Sequence, residues 1–131
     1  MKKSIILLIT FFAVSQLKAQ SIFDKWEELN EYHHVMSATF HPAEKGDLEP
    51  LKMMAMELTT KADVLAEATI PMEFDTKAIK KAVNQLKTDS KSLYDKVESK
   101  ASDDELKESI YMLHDVFHEI VGLCRDMDHD E

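Results

Sequence analysis

Glycine and proline, the residues that most often interrupt a helix, occupy only five positions in the chain. Its 131 residues include two glycines and three prolines, whereas residues that favour helices, such as leucine, alanine, methionine, glutamate and lysine, are abundant. Between the breaks, apolar residues recur every three or four positions, which is the period of an amphipathic helix. The sequence therefore predicts an all-α protein.

Four apolar stripes with this spacing predict four helices. The first stripe consists of Ile22, Trp26, Leu29, His33, Met36 and Phe40. The second consists of Leu51, Met54, Leu58, Ala62, Leu65 and Ala68. The third consists of Ile79, Val83, Leu86, Leu93 and Val97, with the polar Ser90 among them, and the fourth of Leu106, Ile110, Leu113, Phe117, Ile120 and Cys124. Helices of about twenty residues joined by short loops predict an antiparallel up-down-up-down four-helix bundle.

Turn and cap residues indicate where these helices begin and end. Pro42 disfavours a helical conformation at the residue before it, which predicts that the first helix ends before His41 and that His41 lies in the following loop. Gly46 and Asp47 then form a turn. The expected starts of the later helices are Pro50, then Asp75 or Thr76, and finally the capping box of Ser102 and Glu105.

Residues 1–19 have the composition of a secretory signal peptide. Lys2 and Lys3 precede an apolar run over residues 5–14, and Ala19 is a small residue at the expected cleavage site. This run is too short to span a bilayer, since a membrane helix needs about twenty apolar residues. We therefore expect a periplasmic or secreted protein without stable membrane insertion. The expected organisation is a signal peptide (1–19), a four-helix bundle (20–125) and an acidic tail (126–131).

The chain beyond residue 19 is strongly acidic. The formal net charge of the whole chain is −9, and loss of three lysines with the signal peptide leaves thirteen basic and twenty-five acidic residues, a charge of −12. Such a charge repels nucleic acid and anionic lipid, so we expect no nucleic-acid partner. Cys124 is the single cysteine, so no disulfide can form within the chain. Stability must come from packing, with or without a bound ligand.

Five of the six histidines lie in two short segments. His33, His34 and His41 lie near the end of the first predicted helix, whereas His114 and His118 lie one turn apart on the fourth. The first and fourth helices are neighbours in an up-down-up-down bundle, so the two clusters are expected to converge. His34 is expected to point outward, away from the shared groove.

Convergent imidazoles predict a transition-metal site. A pair spaced like His114 and His118 places two ring nitrogens on one side of a helix. His33 and His41 raise the set to three or four nitrogen ligands, which suits zinc, copper or nickel. Met36, one turn from His33, offers a sulfur atom that favours Cu(I). We expect these five residues to bind a zinc or copper ion, for buffering, sensing or carriage.

Two other interpretations use the same residues differently. Each histidine can be a hydrogen-bonded structural residue at the edge of the core, and most methionines can be core filling. An unpaired imidazole on an apolar seam would cost about 1–3 kcal/mol, which favours a ligand. The groove can also bind a partner helix or peptide, as a metal-free interaction module. The chain lacks a glycine-rich phosphate loop, a nucleophile elbow and the two Glu-x-x-His motifs that di-iron proteins carry, so we do not expect an enzyme.

An exported, acidic four-helix bundle of this size resembles the periplasmic b-type four-helix cytochromes and the cytochrome c-prime group. The resemblance is one of architecture and covers most of the chain after residue 19. The b-type proteins bind haem between a methionine on the first helix and a histidine on the last. The resemblance therefore implies haem b held by Met36 and by His114 or His118, in an electron carrier. The Cys-x-x-Cys-His motif of the c-prime group is absent from this sequence.

Overall fold

The computed structural model describes residues 21–129, and the predicted signal peptide lies outside this range. The described chain is helical and contains no strand. Its α-helices are α1 (Ile22–Lys25), α2 (Glu27–Glu44), α3 (Glu49–Glu67), α4 (Lys77–Glu98) and α5 (Asp103–His129), and a 3-10 helix spans Met72–Phe74. The predicted all-α class is confirmed.

The four long helices, α2 to α5, pack against one another around one apolar core. Each long helix contacts the next one along the chain, and α2 also contacts α5. The short α1 packs against both α2 and α5. The helices that carry the two histidine clusters are therefore neighbours. Within the described range, no helix combines the length and the apolar character needed to cross a membrane.

The predicted apolar stripes form this core. Almost all of their residues are buried, and the exceptions are half-buried: His33, Met54, Ala68 and Val97. Ser90, the polar position of the third stripe, is also fully buried. Its Oγ atom lies 2.9 Å from Oη of the buried Tyr32, so the two hydroxyl groups satisfy each other. The backbone carbonyl of Ser90 accepts a second hydrogen bond from Oγ1 of Thr59, at 3.1 Å.

The prediction that the first long helix ends before His41 is wrong. Helix α2 continues through Pro42 to Glu44, so His41 lies in its last turn and not in a loop. Proline removes one N–H from the helix, but its carbonyl still accepts hydrogen bonds from the backbone N–H groups of Lys45 (3.0 Å) and Asp47 (2.9 Å). Gly46 then reverses the chain with a φ of 88°, a value that favours glycine.

The first stripe is divided between two helices. The backbone becomes extended at Trp26 (φ −134°, ψ 91°), which separates α1 from α2. The Trp26 ring is buried and stacks on the ring of Phe74, the last residue of the 3-10 helix, with the ring centroids 6.1 Å apart. Phe74 lies outside every predicted stripe but is fully buried, because the 3-10 helix folds it back onto the core.

The predicted caps of the last two helices are confirmed. The side chain of Thr76 accepts a hydrogen bond from the backbone N–H of Ile79 at the start of α4 (3.2 Å). Ser102 accepts one in the same way from the N–H of Glu105 at the start of α5 (3.2 Å). Each bond satisfies a donor that the first turn of a helix leaves unpaired.

Candidate metal site between α2 and α5

A groove of about 250 Å³ lies between α2 and α5 and is lined by histidines of both clusters. All five residues of the predicted metal site line it: His33, Met36, His41, His114 and His118. The remaining lining residues are Phe23, Ser37, Phe40, Phe117, Val121 and Arg125. The structure therefore brings the two predicted clusters together in one place.

Helical spacing explains why these side chains share a groove. The lining residues of α2 follow one another at intervals of three, one, three and one positions: His33, Met36, Ser37, Phe40 and His41. Those of α5 begin with the same intervals: His114, Phe117, His118, Val121 and Arg125. Residues three and four positions apart lie on one helix face, so each helix presents a mixed aromatic and imidazole face to the other.

His114 and His118 are spaced like two ligands of one metal ion. Their Nε2 atoms lie 3.1 Å apart, and their rings are inclined by 74°. Two nitrogen ligands about 2.0–2.1 Å from a tetrahedral zinc ion lie about 3.3 Å from each other. Without an ion, one Nε2–H group donates a hydrogen bond to the other Nε2. A bound metal ion would take the place of that proton.

Aromatic stacking holds two of the imidazoles in place. The His114 ring lies face to face on Phe40, with centroids 3.6 Å apart and planes inclined by 7°. The His33 ring is parallel to Phe23 at 4.4 Å and to Phe117 at 5.4 Å. The three phenylalanines belong to three different helices, α1, α2 and α5. Their contacts fix the planes of the two imidazole rings, so these rings lose less rotational freedom when a ligand binds.

His33 is set up to remain neutral near pH 7. Partial burial lowers the pKa of His33 below its ordinary value, because the charged imidazolium loses contact with water. Positive charge on its neighbours His34, His118 and His41 lowers it further. A histidine binds a metal ion through a neutral ring nitrogen, so the environment favours the ligating form.

The pKa of His114 is also lowered, chiefly by burial and then by the neighbouring His118. The negative charges of Asp115 and Glu44 act in the opposite direction. The net effect again favours the neutral ring.

His41 differs from His33 and His114 because its side chain is 66% exposed. Its Nδ1 atom lies 3.1 Å from Oε1 of Glu44, one turn further along α2. A carboxylate can only accept a hydrogen bond, so the N–H group is on Nδ1 in the neutral ring. The second nitrogen, Nε2, is then left with its lone pair.

The remaining predicted residues occupy different surroundings. Met36 is 1% exposed and belongs to the core, from which it lines the groove. His34 is exposed and does not line the groove, as predicted from its position on the helix. Within residues 21–129, no three His, Cys, Asp or Glu side chains already surround one point at metal-ligand spacing. The Nε2 atoms of His114 and His118 lie 3.1 Å apart, and binding of one ion by three ligands requires rotation of at least one further side chain.

Three kinds of residue in or beside the groove were not part of the predicted site. The stacked phenylalanines Phe23, Phe40 and Phe117 contact histidines of other helices, and no sequence signal reveals such pairs. Glu44 lies three residues after His41, a spacing that predicts contact on a helix, but only if the helix continues past Pro42. Arg125 continues the α5 face two turns beyond His118, a spacing that the sequence does show.

Searches of protein-family models, of curated proteins and of solved structures found no match to the chain. The groove itself therefore supplies the grounds for a functional proposal.

Proposed function

We propose that the protein binds one transition-metal ion, zinc or copper, in the groove between α2 and α5, and buffers, senses or carries that ion. The observation that supports this most strongly is the 3.1 Å separation of the Nε2 atoms of His114 and His118. This separation is close to the roughly 3.3 Å expected for two imidazole ligands of one tetrahedral zinc ion, and it is also the length of a hydrogen bond between the two rings.

His33 and His41 complete the proposed ligand set. Both line the same groove as His114 and His118. They lie close enough that a positive charge on His41 would act on His33. A set of three or four imidazoles suits Zn(II) and Cu(II). Met36 adds a sulfur atom on the core side of the groove, and coordination by this sulfur would favour Cu(I). The exposed side of His41 and His118 leaves the ion accessible from solvent, as uptake and release require.

The haem alternative, with Met36 and His114 as axial ligands, has less support. The groove volume of about 250 Å³ lies below the roughly 300–1,000 Å³ typical of pockets for organic ligands, and haem is a large ligand. A small ion does not need a large cavity.

We also propose that the protein is exported and that its four long helices run in an antiparallel up-down-up-down order. The composition of residues 1–19 supports export to the periplasm or beyond. An antiparallel up-down-up-down order is supported by the short connections at residues 45–48 and 99–102 and by the packing of α2 against α5.

Isothermal titration of the purified, metal-free protein with zinc and with copper tests the proposal. We expect saturation at one ion per chain for at least one of the two metals. Replacing His114 with alanine should abolish most of the binding heat, whereas the matched control His34→Ala, an exposed histidine beside the groove, should bind like the wild type. Absence of binding by the wild type at neutral pH would refute the proposed function.

A further inference from the structure

Glu44 contacts the groove through one of its histidines and does not itself belong to the proposed ligand set. We propose that Glu44 is a positioning residue for the metal site, which holds His41 in the tautomer whose Nε2 atom binds the ion. This inference rests on the proposed function and assigns a role to a carboxylate that no sequence motif marks.

The contact depends on the unexpected last turn of α2. His41 and Glu44 are three positions apart in the sequence. They lie on one face of α2 because the helix continues through Pro42. The Nδ1–Oε1 distance of 3.1 Å is that of a hydrogen bond, and the ionised carboxylate must be its acceptor. The N–H group of neutral His41 is thereby kept on Nδ1. His41 then offers Nε2, the same atom that His114 and His118 offer to one another.

This arrangement is the one found around bound metal ions in general. A histidine that binds a metal through one nitrogen almost always donates its other N–H to a carboxylate, a carbonyl or water, which fixes the tautomer and the ring orientation. The carboxylate also increases the basicity of the ligand.

Two other roles for Glu44 make different predictions. As an ordinary surface ion pair between residues on one helix, Glu44 would have almost no effect on metal affinity. As a direct ligand of the ion, it would contribute to affinity whether or not His41 is present. A positioning residue contributes only while His41 is present.

Zinc affinity, measured at neutral pH by competition with a chromophoric chelator, separates these roles. We expect Glu44→Ala to weaken zinc binding about 10–100-fold, the usual effect of removing such a partner. Glu44→Gln should fall between Glu44→Ala and the wild type, because its amide oxygen still accepts the hydrogen bond without the charge. The control Glu49→Ala removes an exposed carboxylate at the start of α3 that does not line the groove, and should bind zinc like the wild type.

A double-mutant cycle tests whether Glu44 acts through His41. In the His41→Ala background, Glu44→Ala should cause no further loss of affinity, since the two residues form one unit. In the metal-free wild type, long-range nitrogen-15 NMR spectra should show His41 protonated at Nδ1, and Glu44→Ala should shift it toward the Nε2–H tautomer. The second measurement does not depend on metal binding.

The outcomes distinguish this inference from the proposed function. If the wild type binds zinc and Glu44→Ala binds it equally tightly, the role of Glu44 is refuted and the metal site stands. If Glu44→Ala weakens binding even without His41, Glu44 is a direct ligand and the positioning role is wrong. If the wild type binds neither zinc nor copper, the proposed function fails first, and the positioning role fails with it.

Discussion

At the scale of single residues, the proposed metal site depends on imidazoles whose rings are held by neighbours from other helices. His114 lies on Phe40, and His33 lies against Phe23 and Phe117. In the proposed site, these contacts would orient the rings before an ion binds, which would reduce the entropy lost on binding. His118 and His41 are more exposed than His33 and His114.

The ligands of one ion should not behave independently. Binding to the native state stabilises it by about 2.7 kcal/mol at a hundredfold excess of ligand over Kd, so saturating zinc or copper should raise the melting temperature by several degrees. His33→Ala and His118→Ala should each remove most of that rise, and the double variant should lose little more. Differential scanning calorimetry with and without metal gives this comparison. Fully additive losses would indicate two separate sites.

The lowered pKa of His33 predicts how the metal-free protein responds to acid. The folded protein holds this pKa below the ordinary value of 6.5 that the unfolded chain adopts. The unfolded state therefore takes up the proton first, and the stability contributed by neutral His33 is present above about pH 6.5 and lost as the pH falls through the folded pKa. We expect the urea midpoint to fall between about pH 7.5 and about pH 5.

His33→Phe provides the matched comparison, because phenylalanine preserves the stack with Phe23 and Phe117 but cannot take up a proton. Its urea midpoint should fall less than that of the wild type over the same pH interval. An equal fall in both proteins would show that His33 does not contribute to the acid response. The measurement is made in the presence of a chelator, so that metal release does not contribute.

At the scale of elements, a buried polar contact joins α2 to α4. Tyr32 and Ser90 are both fully buried, and their hydroxyl groups lie 2.9 Å apart. Burial raises the pKa of the Tyr32 hydroxyl, which therefore stays protonated over the working range of the protein. The contact gives the two helices one preferred register within an otherwise apolar interface.

Removing one partner of this contact should destabilise the bundle more than removing both. Ser90→Ala leaves the Tyr32 hydroxyl buried without its partner, which should cost about 1–3 kcal/mol. Tyr32→Phe combined with Ser90→Ala leaves no unsatisfied hydroxyl and should recover part of that loss. Urea unfolding of the wild type and three variants measures the difference. A double variant as unstable as the sum of both single variants would contradict this account.

The positions of the helices can largely be predicted from the sequence, whereas the positions at which the helices are interrupted or end cannot. A regular apolar period can be buried only on one face of a helix, so the stripes identify the core of α2 to α5. The missing N–H of Pro42 costs the helix one hydrogen bond, but the carbonyl of Pro42 accepts hydrogen bonds from the following turn. The sequence does not show this context. Phe74 becomes part of the core only because its loop folds back against Trp26.

At the scale of the whole molecule, adjacency of α2 and α5 converts two distant sequence clusters into one groove. The expectation that the clusters converge follows from four short-looped helices, and the structure places all five predicted residues around one groove. Their spacing within the groove could not be predicted, because it depends on the stacked phenylalanines and on the extra turn that brings Glu44 to His41. Helical spacing determines the face on which a residue lies, whereas packing determines the distances between atoms.

X-ray absorption spectroscopy of the zinc-loaded protein tests the central claim, that histidines of both helices bind one ion, most directly. We predict nitrogen ligands at about 2.0–2.1 Å and the outer-shell scattering of three or four imidazoles per zinc ion. The His114→Ala/His118→Ala protein should lose this signature at the same metal loading. A zinc ion surrounded by oxygen ligands, with one imidazole or none, would contradict a shared site between α2 and α5.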